Sequence, residues 1–166
     1  MKMIMNESNI VLPYDFVCKN IELNWGSVFY ALQNKIISPK AVIEHAMSEL
    51  ARLNDYPQEL LELASLNKGE SVHPYIDILA NNEKISGIHD FSNTWLYLLL
   101  LWVFENKNSL SDPLGVVEKI YADFEYPEII SGFVRYMPTK SELPSSEYLY
   151  GKWEEYLSAC ASKKYF

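Results

Sequence analysis

Trp95-Leu96-Tyr97-Leu98-Leu99-Leu100-Leu101-Trp102-Val103-Phe104 is ten consecutive apolar residues, the most hydrophobic stretch of the chain. A membrane-spanning helix needs about 20 such residues, so this run is half a span at most. Asp90, Ser92 and Asn93 precede it, and Glu105, Asn106 and Lys107 end it. A helix that is apolar on every face is one surrounded by other helices. Residues 93–105 are therefore expected to form the central hydrophobic helix of a helical domain. Within it Trp102 is taken as a buried ring, whose removal would cost about 3–5 kcal/mol.

Outward from that run the patterns are amphipathic. Ser38-Pro39 is a helix start, because serine can cap free N–H groups and proline loses nothing at the first helical position. Behind it Val42, Ile43, Ala46, Met47, Leu50 and Leu53 recur at helical spacing. Asn54-Asp55-Tyr56-Pro57 ends that helix and begins the next, which carries Leu60, Leu61 and Ala64 and stops near Gly69. Asp112-Pro113 repeats the cap-then-proline device ahead of Val116, Val117, Ile120, Tyr121 and Phe124. A last helix over about 146–162 places Leu149, Trp153, Tyr156, Leu157 and Cys160 on one side. Shorter helices are predicted at 13–19, 25–35 and 73–82. Ile10-Val11-Leu12 and Val134-Arg135-Tyr136 could extend briefly, but neither alternates for long. The expectation is an all-α fold, one compact multi-helix domain over residues 1–166.

The chain's 166 residues suit one domain, and 49% apolar residues supply a core. Fourteen basic against 22 acidic residues give a net charge of −8. That balance argues against a nucleic-acid binder, which needs a basic face, and against attachment to an anionic membrane. Cys18 and Cys160 lie far apart without CxxC company, so no disulfide framework is implied and a reducing cytoplasm is the simpler setting. No secretory leader pattern is visible at the amino end.

Chemistry is hard to find. His45 and Glu49 stand one turn apart, a spacing that could hold a metal, but nothing names further ligands and the pair reads as an ordinary solvated one. His89-Asp90 reads as part of the cap before the central helix, or as the core of a cryptic carboxylate and histidine site. No GxSxG elbow, GxxxxGK loop or HExxH motif occurs. No cofactor is implied.

Two acidic groups stand out. Asp55, Glu59 and Glu62 follow helical spacing, with Asp55 and Gln58 resembling a capping box. Asp123, Glu125 and Glu128 surround Tyr126 where a helix ends, so their charges gain nothing from the helix dipole. Aromatic residues interleaved with charge are what binding hot spots use.

The run Ile120-Tyr121-Ala122-Asp123-Phe124-Glu125-Tyr126-Pro127-Glu128, with Phe133-Val134-Arg135-Tyr136-Met137-Pro138, resembles a bacterial family catalogued as domain of unknown function 2247. Pro13-Tyr14-Asp15-Phe16-Val17-Cys18, Glu22-Leu23-Asn24-Trp25 and Ile36-Ile37 fit the same picture. The resemblance implies a small cytoplasmic protein of the immunity type that accompanies secreted polymorphic toxins, and it supplies no catalytic residues. The resulting expectation is a non-catalytic binding protein that neutralises a cognate toxin through an acidic surface. Its contact residues would be Asp123, Glu125, Tyr126 and Glu128, then Asp55, Glu59 and Glu62. The expected partner is a protein, such as a basic toxin domain, with no nucleic acid and no membrane. The alternatives are a small enzyme with a cryptic site and a helical regulatory interaction module.

Overall fold

The computed structural model describes residues 8–67, 69–83, 90–135 and 144–163. Among the described residues eight α-helices follow one another: α1 Tyr14–Asn20, α2 Trp25–Gln33, α3 Pro39–Arg52, α4 Gln58–Ala64, α5 His73–Asn82, α6 Phe91–Glu105, α7 Pro113–Asp123 and α8 Ser146–Lys163. Short 3₁₀ segments lie at Lys107–Ser109 and Glu128–Phe133. Among the described residues there is no strand, and the fold is all-α. No described helix is long and apolar enough to cross a membrane.

Both cap-then-proline starts form. Ser38 Oγ accepts from Ala41 N at 3.2 Å, and Asp112 Oδ1 accepts from Gly115 N at 3.2 Å. The expected box of Asp55 with Gln58 does not. α4 begins behind Pro57 without a side-chain cap, which leaves Asp55 two residues outside the cap position.

Two helices end in the same unadvertised way. After α2, Lys35 N donates to Leu32 O at 3.1 Å and Ile36 N to Ala31 O at 2.8 Å, with Lys35 at φ 60°. These crossed bonds satisfy carbonyls that a helix end leaves open, and the left-handed residue between them is usually glycine.

Contacts divide the chain into two compact units. The first spans Val11–Phe91, where α3 packs on α4, α4 on α5, α5 on α2, and α1 and α2 on α3. Val28, Val42, Leu63 and Ile76 lie at its fully buried centre. The start of α2 is closed by two side chains. Trp25 N and Gly26 N donate to the Glu83 carboxylate, the latter at 2.8 Å, and Ser27 N donates to Asn24 Oδ1 at 2.8 Å. Val28 N reaches Asn24 O at 3.1 Å as the first regular helical bond, so the three amides ahead of it, Trp25 to Ser27, all have side-chain partners.

The second unit joins residues 8–10 to the described residues from Ser92 onward. Trp95 through Leu100 of α6 are all buried, which covers the helix on every face, as its sequence requires. Trp102, by contrast, is only partly buried, and Trp95 and Trp153 are the enclosed indoles. α8 packs on the Glu128–Phe133 segment. The Trp153 ring stacks on Phe133 at 5.9 Å and takes the edge of Phe104 at 5.1 Å.

Candidate functional site

The most distinctive surface of the second unit is built where α7 stops. Phe124 N donates to Ile120 O at 3.0 Å, Glu125 N to Ala122 O at 3.1 Å and Tyr126 N to Tyr121 O at 2.8 Å. This is the crossed pattern of the α2 terminus, but here two successive residues, Glu125 and Tyr126, are left-handed at φ 61° and 60°. A non-glycine residue in that region costs roughly 1–2 kcal/mol. The Tyr126 ring meets Tyr121 edge-on at 5.3 Å, the apolar contact that accompanies such a cap and helps offset the strain. Pro127 then leads into the 3₁₀ turn, where the Ser131 hydroxyl donates to Glu128 O at 2.8 Å.

That turn faces two ways. Ile130 and Phe133 are buried, while Tyr126 is 62% and Ile129 59% exposed. Glu125 and Glu128 are exposed beside them in sequence. Two apolar side chains and two carboxylates thus share a five-residue knuckle of fixed backbone, Glu125 to Ile129. Ile129 was absent from the sequence-based contact set. The signal for it is the Ile129-Ile130 pair after Pro127, since adjacent residues of a short helical turn cannot both face the core.

Asp123 does not belong to this surface, contrary to expectation. It is 4% exposed, and its Oδ2 accepts from Ser8 N at 3.3 Å. It ends α7 on the side of the helix that is covered, so a partner cannot reach it. Of the four residues expected around that helix end, Glu125, Tyr126 and Glu128 share the exposed segment, and Ile129 joins them there.

The second acidic group is looser. Glu59 and Glu62 share a face of α4, with Glu62 Oε1 3.5 Å from Gln58 Nε2, but Asp55 stands outside the helix in the connection from α3. Asp55 and Glu62 are exposed, and Glu59 is half-buried.

His45 departs from its reading as a solvated partner of Glu49. It is buried, packed against the Trp25 ring at 4.9 Å, with Nδ1 3.0 Å from the Tyr14 hydroxyl. Burial lowers its pKa, and Glu49 only partly counteracts this. Glu49 itself pairs with Arg52 at 2.6 Å. Among the described residues no group of three or more His, Cys, Asp or Glu side chains could hold a metal ion. His89 lies outside the described residues.

A shallow groove of about 420 Å³ runs along the start of α7, lined by Leu110, Ser111, Asp112, Gly115, Glu118 and Lys119 among others. Arg135 rims it. Its guanidinium forks onto Asp112 at 3.0 and 3.2 Å, while Nε reaches Glu118 at 2.8 Å. Arg135 holds the Asp112 carboxyl below the usual carboxylate range, and Glu118 and Asp112 together raise the guanidinium pKa further. With three donors committed to its neighbours, Arg135 acts as a clamp between the end of the 3₁₀ turn and the start of α7.

These features define a class: an all-α, multi-helix protein with a rigid acidic and aromatic knuckle. Residues 14–160 match the family described as "Uncharacterized protein conserved in bacteria (DUF2247)", and the chain belongs to that family. No curated protein and no solved structure matches it.

Proposed function

We propose that this chain is a non-catalytic, cytoplasmic binding protein of the immunity type, which neutralises a cognate bacterial toxin by seating its acidic knuckle in a basic cleft of that toxin. The observation that supports this reading is the exposure of Tyr126 and Ile129, 62% and 59%, on one segment with Glu125 and Glu128. Water-exposed apolar rings held by a fixed backbone give up little entropy on docking, and Tyr is among the residues that dominate binding energy. Carboxylates around them steer the knuckle toward a positive surface and raise the association rate. No cofactor takes part. Asp55 and Glu62 add to the steering field from the other unit without an anchoring role.

Growth rescue tests the reading. If a toxin is encoded beside its gene, the parent protein co-expressed with that toxin restores growth. The variant Glu125→Lys, Tyr126→Ala, Glu128→Lys does not, while remaining helical. Lysine is tolerated at the left-handed position, since Lys35 occupies the same place after α2. Full rescue by the folded knuckle variant would move the contact to Asp55, Glu59 and Glu62. A parent protein that fails to protect would remove the immunity function.

A further inference from the structure

The first unit holds a histidine whose protonation its surroundings oppose. His45 is 5% exposed, its Nδ1 lies 3.0 Å from the Tyr14 hydroxyl, and the Trp25 and Tyr14 rings sit 4.9 and 5.8 Å away. Burial raises the Tyr14 phenol well above its ordinary value, so it stays protonated and able to donate. α1 itself has only seven residues, no side-chain cap at its start and one buried residue, Val17, with Tyr14 half-buried. A helix that short is held by tertiary contacts rather than by its own hydrogen bonds.

We propose that the Tyr14–His45 contact is an acid-released latch, docking α1 on α3 while the imidazole is neutral and freeing it when the imidazole gains a proton.

The charges around the latch decide its direction. From α3, Glu49 favours the proton on His45, but it is engaged with Arg52 at 2.6 Å, and Arg52 opposes that proton. From α1 the titratable neighbours are Tyr14 and the surface-exposed Cys18, whose thiol is pushed up by partial desolvation and by Asp15, Glu44 and Glu49. Trp25, at the start of α2, brings no charge of its own, although its amide meets the Glu83 carboxylate. Glu22, between α1 and α2, acts on Arg52. Burial outweighs these charges, so the docked imidazole titrates below its ordinary value of about 6.5. With its proton on Nε2, a neutral imidazole accepts the phenol's hydrogen bond at Nδ1, whereas a protonated ring could only donate there to the phenol oxygen. The protonated ring must also hold a charge away from water.

The sign follows. Above about pH 6.5 both docked and released forms carry a neutral His45, and the latch has its full strength. As pH falls, the released form binds the proton first. Docking then weakens tenfold per pH unit until the lowered value is reached.

Hydrogen exchange on the full chain between pH 7.5 and 5 tests this, with intrinsic rates divided out. The reporters are the Val17 and Ile21 amides, which donate to Pro13 O and Val17 O across α1. Their protection should fall tenfold per pH unit below about pH 6.5, while amides of α6 hold theirs. In His45→Gln the same amides should show no such slope. Parent amides with pH-independent protection, or an unchanged slope in His45→Gln, would overturn the proposal. If His45→Gln does not fold, the parent's imidazole titration decides. A ring titrating below its ordinary value in step with α1 release supports the latch, and one titrating while α1 stays protected overturns it.

Discussion

Asp112 uses one carboxylate twice, as the cap of α7 and as the seat of Arg135, and Gly115 is what permits both. A Cβ at Gly115 would fall inside contact distance of Asp112 Oδ2 and lie 2.8 Å from Cγ. Gly115→Ala must therefore push the carboxylate off its cap. Losing the cap costs about 1 kcal/mol and the exposed ion pair at most about 1 more, against a helix-propensity gain of about 1. The expected result is neutral to about 1 kcal/mol destabilising in the parent. With Asp112→Ala already present, the same change should stabilise by about 0.5–1 kcal/mol, because only the propensity term remains. Denaturant midpoints of the four proteins measure this coupling, and identical effects in both backgrounds would refute it. The ion pair also has an acid limb. Asp112 titrates low when folded, so its contribution is present above about pH 3.9 and disappears as pH falls through the folded value. Arg135→Met should move the carboxyl titration seen by NMR back toward the ordinary value. Asp112-Pro113 was legible as a cap from neighbouring residues alone. The role of Gly115 was not, because it depends on an arginine twenty-three positions from Asp112.

At the scale of elements, the helices were readable because each carries its own period. α6 was readable because its ten apolar residues admit only an interior position. What stayed hidden were the ends of α2 and α7. Both close with crossed hydrogen bonds around a left-handed residue, yet those residues are Lys35 and Glu125, not the glycine that announces such a cap. Burial within α6 was misjudged in one place, since Trp95 rather than Trp102 is fully enclosed. Trp95→Ala should then cost about 3–5 kcal/mol and Trp102→Ala clearly less, a ranking that thermal melts can reverse or uphold. Glu125→Gly offers the complementary test. Relief of about 1–2 kcal/mol of left-handed strain exceeds glycine's entropic penalty of about 0.5–1, so the variant should melt higher. A lower melting temperature would mean that the Glu125 side chain contributes more than its backbone costs.

For the whole molecule, an all-α chain of net charge −8 was foreseeable from composition and period. The shape of its candidate contact surface was only half so. Glu125, Tyr126 and Glu128 were legible as charge around an aromatic ring at a helix end. The burial of Asp123 was not, because that depends on Ser8, 115 positions away in sequence. His45 was misread for a like reason, its partners Tyr14 and Trp25 coming from two other helices. The proposal of a single domain over 1–166 predicts one cooperative thermal transition followed by circular dichroism and by tryptophan fluorescence alike. Two separated transitions would instead assign each compact unit its own stability.

The binding reading rests on the knuckle, and titration calorimetry against a toxin domain with a basic cleft, sought beside the gene, tests it most directly. The parent should bind, with affinity falling as salt rises. Tyr126→Ala with Ile129→Ser should weaken binding by about 2–4 kcal/mol, the loss expected of central anchors. Asp55→Asn with Glu62→Gln should leave affinity within about 0.5 kcal/mol, as exposed charges outside the anchoring segment chiefly affect association rate. Equal affinity of the parent and the folded Tyr126→Ala, Ile129→Ser variant would contradict the account.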